Sequence, residues 1–115
     1  MKTLITGAAG FIGNNLALRM LKEGHDVASV DAVTSYYDSK LKRDRLALSN
    51  KYDTFTSYEI YLENMDAMSA AFSEFKPDRL VHLAAQAGVR YSLESPRAYV
   101  GTNVTGSFNV IELCR

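Results

Sequence analysis

The stretch Thr6–Gly13, TGAAGFIG, follows KTLI and precedes NNLALRMLKEG, so that three glycines, Gly7, Gly10 and Gly13, fall three residues apart between two apolar patterns. The run Thr3–Thr6, bounded by glycine, reads as a buried parallel strand. Beyond the glycines, Ile12, Leu16 and Met20, with Ala17 and Leu21 beside them, make one stripe of a helix ending at Gly24, a natural left-handed cap. The first amides of a helix have no partner within it, and the aligned peptide dipoles place roughly half a positive charge there. A pyrophosphate satisfies both. Gly7 permits the tight turn, Gly10 admits the phosphate and Gly13 lets the helix lie against the strand.

The spacing is G-x-x-G-x-x-G rather than the commoner G-x-G-x-x-G, and alone it fits a tight strand-to-helix turn equally well. Its context adds weight. HDVASVDAV predicts a second strand over 26–30 with Asp31 at its tip, 18 residues past Gly13, near the spacing of a ribose-binding acid. A carboxylate there accepts from both ribose hydroxyls of NAD and repels the 2′-phosphate of NADP, and no Arg or Lys follows within eight residues. NAD is therefore the expected cofactor. The competing reading of Asp31 is a solvated acid that ends a strand.

Outward from this core, TSYYDSK reads as a loop and KLKRDRLALSNK, with Leu41, Leu46 and Leu48 among mixed charges, as a solvated helix. Alternation at Tyr58, Ile60 and Leu62 predicts a third strand over 55–62. MDAMSAAFSEF predicts a helix with Met65, Met68, Phe72 and Phe75 on a core face, ended by Pro77. RLVHLAA, 79–85, predicts a fourth strand covered on both faces, with Leu80, Val81 and Leu83 apolar. Pro96 opens a last helix whose Val100, Val104, Phe108 and Ile111 form a stripe. Gly101 and Gly106 in it each cost about 1 kcal/mol relative to Ala, which implies close packing. Strand and helix alternate, so the fold expected is α/β: a partial Rossmann-type doubly wound parallel sheet of about four strands, order 3-2-1-4, with right-handed crossovers, truncated before strand five.

At 115 residues the chain is one domain, 1–115. Thirteen basic and thirteen acidic residues balance without a basic run, which argues against a nucleic-acid partner. Cys114 is the single cysteine. With only His25 and His82 beside it, neither an internal disulfide nor a metal site is expected, and a reducing, cytoplasmic setting fits. The opening apolar run is broken too early for a signal peptide and nothing later reaches a membrane-spanning length, so neither targeting nor membrane association is expected.

TGAAGFIG, VD, HLAAQAGVRYSLESPRAYVGTN and NVTGSFNVIELCR resemble the amino-terminal half of the extended short-chain dehydrogenase/reductase family, the NAD-dependent nucleotide-sugar epimerases and dehydratases. HLAAQAGVRYSLE followed by P and AY, together with YYD after the second strand, looks most like the UDP-glucuronate 4-epimerase branch. The resemblance covers essentially this whole chain but less than half of a family member. It implies that Gly7, Gly10, Phe11, Ile12 and Gly13 line the pyrophosphate, that Asp31 holds the adenosine ribose, and that Leu83, Ala84 and Ala85 lie beside the nicotinamide ribose. It also implies that Asn103 helps hold the active site together and that Arg90 and Ser92 face the sugar nucleotide; Arg90 paired with Glu94 on a surface loop accounts for that residue equally well.

Two positions depart from the family pattern. Tyr61, before Leu62, stands where an acid usually accepts from the adenine amine, and Ala32 stands where the branch usually has Asn. Two lost hydrogen bonds at about 1 kcal/mol each would weaken NAD roughly thirtyfold without abolishing the site.

In the family, as the resemblance implies, a tyrosine takes the proton of the sugar 4-hydroxyl while hydride passes from C4 to NAD, and the keto sugar then turns and takes the hydride back on its other face. A lysine four residues on lowers the phenol pKa from about 10. Tyr-x-x-x-Lys occurs once here, as Tyr36 and Lys40, but after the second strand on the adenosine side, whereas the pair belongs after a fifth strand. It is a decoy, and no catalytic residue is assigned. The expectation is an NAD-binding amino-terminal portion, inactive alone, that meets a nucleotide sugar only when a carboxy-terminal part completes it and that can form a homo-oligomer through an exposed sheet edge. The alternatives are a non-catalytic nucleotide-binding or interaction module and a fragment of a nucleotide-sugar 4,6-dehydratase.

Overall fold

The computed structural model describes residues 1–32, 39–85 and 89–115. Among them four strands, β1 (Lys2–Thr6), β2 (Asp26–Val30), β3 (Phe55–Tyr58) and β4 (Arg79–His82), form one parallel sheet in the predicted order β3-β2-β1-β4. The helices are α1 (Phe11–Lys22), α2 (Ser39–Ser49), α3 (Met65–Phe75), α4 (Val89–Glu94) and α5 (Pro96–Tyr99), then a π-helix over Val100–Gly106 that leads into α6 (Ser107–Cys114).

Side chains on successive strand residues point to opposite faces, and the two core clusters divide accordingly. Ile5 and Val27 pack with Ala17, Met20 and Leu21 of α1, Leu46 of α2 and Phe55. Leu4, Ala28 and Val30 pack on the other face with Met68 and Phe75 of α3 and Val110 of α6. The central strands are thus covered on both sides, which is why they read as continuous apolar runs.

The helix ends follow local chemistry. Gly24, at φ +88°, closes the turn after α1. The Asn64 side chain accepts from Ala67 N–H at 3.1 Å and caps α3, while Lys76 takes the left-handed conformation just ahead of Pro77. In α2, Leu41 and Leu48 are exposed and only Leu46 reaches the core, as expected of a solvated helix.

Three elements differ from the sequence expectation. β3 stops at Tyr58 because its partner β2 stops at Val30; the last ladder bond runs from Asp31 N–H to the Tyr58 carbonyl, and Ile60–Leu62 continues outside the sheet. β4 stops at His82 because β1 stops at Thr6. The last helix is not one regular α-helix, and its inward face is Gly106, Asn109, Val110 and Leu113, whereas Val100, Val104, Phe108 and Ile111 point outward, each more than half exposed. Both of its glycines do pack closely: a Cβ on Gly106 would stand 2.6 Å from Leu62 Cβ, and one on Gly101 3.3 Å from a Glu63 carboxylate oxygen. Met65, placed in the core by its spacing, sits in the exposed first turn of α3.

Candidate cofactor-binding site

The three glycines have different structural reasons. Gly7 sits at φ +78°, and a Cβ there would also lie 2.8 Å from the Ala84 nitrogen. A Cβ on Gly13 would run into the Gly7 carbonyl oxygen. Packing alone explains both. Gly10 has ordinary extended dihedrals, φ −77° and ψ 172°, and its missing Cβ would meet only the Gly7 oxygen, at 3.2 Å. The space above Gly10 is left open by the protein itself.

Gly10 N–H donates to the Gly7 carbonyl and Asn14 N–H to the Gly10 carbonyl, so the amides of Phe11, Ile12 and Gly13 precede the first bond within α1. No side chain caps this end. Phe11 and Ile12 project from it, 71% and 67% exposed, leaving their amides as donors at a rim.

Asp31 lies at the tip of β2, half-buried, and its Oδ2 accepts from Ala9 N–H at 3.1 Å. Arg45 of α2 donates to the Ala9 carbonyl at 3.3 Å. Both polar groups of Ala9 are therefore held by side chains, which sets the loop conformation and directs the acid to the loop rather than to bulk solvent. Arg45 escaped the sequence reading because its segment reads as a solvated helix; the available signal was its place directly before the core residue Leu46.

A cleft runs along the carboxyl ends of the strands, where open α/β sheets bind ligands. It joins Gly7, Gly10 and Asp31 to Tyr61 and Leu62 on one side and to Leu83, Ala84 and Ala85 on the other. Ala32, Lys42, Glu63 and Thr102 line it too. Lys42 was not anticipated, since it lies more than eight residues beyond Asp31. Phe11, Ile12, Gly13 and Asn103 do not line the cleft; Asn103 stands in the π-helix beside Thr102. Tyr61 is 56% exposed, with its ring at the edge of the cleft, while Leu62 is buried.

The Tyr61–Glu63 wall is pinned from afar. Asn109, buried on α6, donates through Nδ2 to the carbonyls of Leu62 at 2.8 Å and Glu63 at 3.2 Å. The opposite wall is pinned by Thr6, whose Oγ1 accepts from the amides of Leu83 and Ala84 at 3.0 and 3.1 Å. Short-range patterns do not reveal either partner, since every one of these contacts joins residues more than forty positions apart.

Ser92 is half-buried in α4; the Arg90 side chain and the loop carrying YYD and Tyr36 lie outside the described residues. Among the described residues no group of three or more His, Cys, Asp or Glu could hold a metal ion, and no helix is long and apolar enough to cross a membrane.

The chain is similar to the protein CapI of Staphylococcus aureus, 49% identical over all 115 residues, and to a probable UDP-glucuronate 4-epimerase of Rhizobium meliloti, 47% identical over the same span. In both cases it covers 34% of the relative, so the chain spans about a third of the length of the curated relatives it matches. Its structure resembles that of the UDP-glucuronic acid 4-epimerase of Bacillus cereus, solved with UDP-glucuronic acid and NAD, at a TM-score of 0.88 and 31% identity, covering 99% of this chain and 36% of that one. The family model described as GDP-mannose 4,6 dehydratase matches residues 4–115, and the chain belongs to that family.

Proposed function

We propose that this chain is the NAD-binding amino-terminal part of a nucleotide-sugar 4-epimerase of the UDP-glucuronate type. The observation that carries the reading is Gly10: it lines the cleft with no side chain, where a Cβ would meet the Gly7 carbonyl oxygen alone, at the uncapped amide end of α1, with the Asp31 carboxylate bonded to the same loop. Phe11, Ile12 and Gly13 supply the amides for the pyrophosphate, Asp31 accepts from the adenosine ribose, and the Leu83–Ala85 strand end faces the nicotinamide ribose. Bound NAD supplies a hydride acceptor and donor at C4 of the sugar. Tyr61 offers an exposed aromatic face where an acid would accept the adenine amine.

No residue of this chain is assigned to proton transfer, and by itself it is inactive. A nucleotide sugar is engaged, through Arg90 and Ser92, only together with a carboxy-terminal part. The outward apolar residues of the π-helix and α6, with the outer edge of β4, favour association with such a part or with a second copy. The setting is cytoplasmic, in keeping with a single, exposed cysteine.

Calorimetric titration of the purified chain with NAD tests the reading. Saturable binding is expected, weakened about tenfold by Asp31→Ala, which removes a charge-assisted acceptor. Absence of saturation at millimolar NAD would sink it and leave a non-catalytic interaction module.

A further inference from the structure

Beneath the cleft wall formed by Leu83, Ala84 and Ala85 runs a line of polar side chains that none of the proposed NAD contacts uses. Thr6 is fully buried. Its Oγ1 accepts from Leu83 N–H at 3.0 Å, a donor it shares with the Thr6 carbonyl oxygen at 3.1 Å, and from Ala84 N–H at 3.1 Å, and lies 2.7 Å from His82 Nδ1. His82 Nε2 lies 3.0 Å from Ser107 Oγ, at the start of α6.

A hydroxyl has one proton to donate and two lone pairs to accept with. The two amides take the lone pairs of Thr6 Oγ1, so its proton goes to His82 Nδ1. That nitrogen is therefore bare, the ring proton sits on Nε2, and Ser107 Oγ accepts it. A second ring proton would set N–H against O–H. The ring faces two neutral hydroxyls, Thr6 from β1 and Ser107 from α6, and burial alone pushes its pKa below the usual histidine value.

We propose that His82, neutral and protonated on Nε2, is a positioning residue for the cofactor cleft, tying α6 through Thr6 to the amides of Leu83 and Ala84. The inference rests on the NAD-binding reading for its consequence, though not for its chemistry. The wall matters because it touches the glycine turn: the Ala84 nitrogen occupies the place a Gly7 side chain would need. A shift of Ala84 therefore reaches the turn directly.

Nitrogen NMR of the histidine rings in the chain without NAD reads the tautomer. The expected result is a bare Nδ1 and a protonated Nε2, with the Leu83 and Ala84 amide signals moving together with ring protonation as pH falls. A protonated Nδ1 at neutral pH, or amides indifferent to the ring, would overturn the relay whether or not NAD binds. Two variants then test the role. His82→Leu is expected to raise the NAD Kd about fivefold, the effect of one lost hydrogen bond. His82→Asn, whose amide oxygen can accept in place of Nδ1, should recover most of that loss and bind NAD independently of pH through the histidine range, where the unsubstituted chain weakens. Equal affinity in all three proteins overturns the positioning role while leaving the cofactor site standing. Failure of the unsubstituted chain to bind NAD overturns the cofactor reading and the role with it, and leaves the tautomer intact.

Discussion

At the glycine end of the cleft the backbone is held mainly within one turn: Gly7, Gly10 and Gly13 fit one another, while Gly7 N–H donates to the Val30 carbonyl and the side chains of Asp31 and Arg45 hold Ala9. At the Tyr61–Glu63 end, once β3 has stopped, a turn bond from Asn64 N–H to the Tyr61 carbonyl is joined by partners from far along the chain. There Asn109 bonds two successive carbonyls and Gly106 lets Leu62 in, both from a helix more than forty residues later. One end is a local motif and the other a tertiary dock, and their responses to substitution should differ in kind.

The largest effect is expected at Gly13. Alanine there forces its Cβ against the Gly7 carbonyl, a backbone atom that can move only if the whole turn moves, so Gly13→Ala should cost about 3 kcal/mol in urea unfolding. A loss below about 0.5 kcal/mol would mean that the turn is looser than a local motif must be.

Asn109→Leu comes next. It leaves the Leu62 and Glu63 carbonyls without their donor and should cost about 2 kcal/mol, with hydrogen exchange rising selectively around 61–64 while the glycine turn stays protected. Equal loosening at both ends would show that the two are a single cooperative unit.

Gly10→Ala separates the ends in the opposite sense. Its dihedrals suit alanine, but the new Cβ would stand close to the Gly7 oxygen, at 3.2 Å, so stability should fall by about 1 kcal/mol at most, well short of the loss at Gly13. NAD affinity, however, should fall about tenfold or more, because the methyl stands where the phosphate would. Calorimetry beside urea unfolding reads both quantities, and a stable variant that binds NAD unchanged would remove Gly10 from the site.

This contrast also explains what was legible beforehand. The order of strands, the glycine turn and Asp31 follow from short-range patterns: apolar runs, helical stripes and a spacing of 18 residues. The cleft wall at Leu83–Ala85 entered through resemblance to a family, and its support by Thr6 and His82 did not enter at all, since a threonine in a buried strand looks like any β-branched residue. In the last helix the apolar stripe is not the face that packs inward. Val100, Val104, Phe108 and Ile111 are the more apolar set, yet the inward side is Gly106, Asn109, Val110 and Leu113, where a glycine and an amide fit the Leu62–Glu63 turn. A helix facing a turn whose buried carbonyls lack backbone donors needs a donor and a gap more than it needs apolar surface.

The smallest effect should come from acid, and its sign follows from His82. The folded chain holds this ring neutral by burial, so its pKa lies below the ordinary histidine value of about 6.5 that the unfolded chain retains. Between those two values the unfolded state binds more protons than the folded one, so stability rises with pH there. The contribution is fully present above about 6.5 and is lost as pH falls through the folded value. Urea midpoints should therefore be flat above neutrality and decline on the acid side, and His82→Asn should flatten that decline until the carboxylates begin to titrate. Because the ring joins β1 to α6 and neither end of the cleft owns it, the acid loss should loosen Leu83–Ala85 before it touches either the Gly10 turn or the Asn109 dock. An acid transition that begins at one of those ends instead would place the weak point of the cleft outside the wall between them.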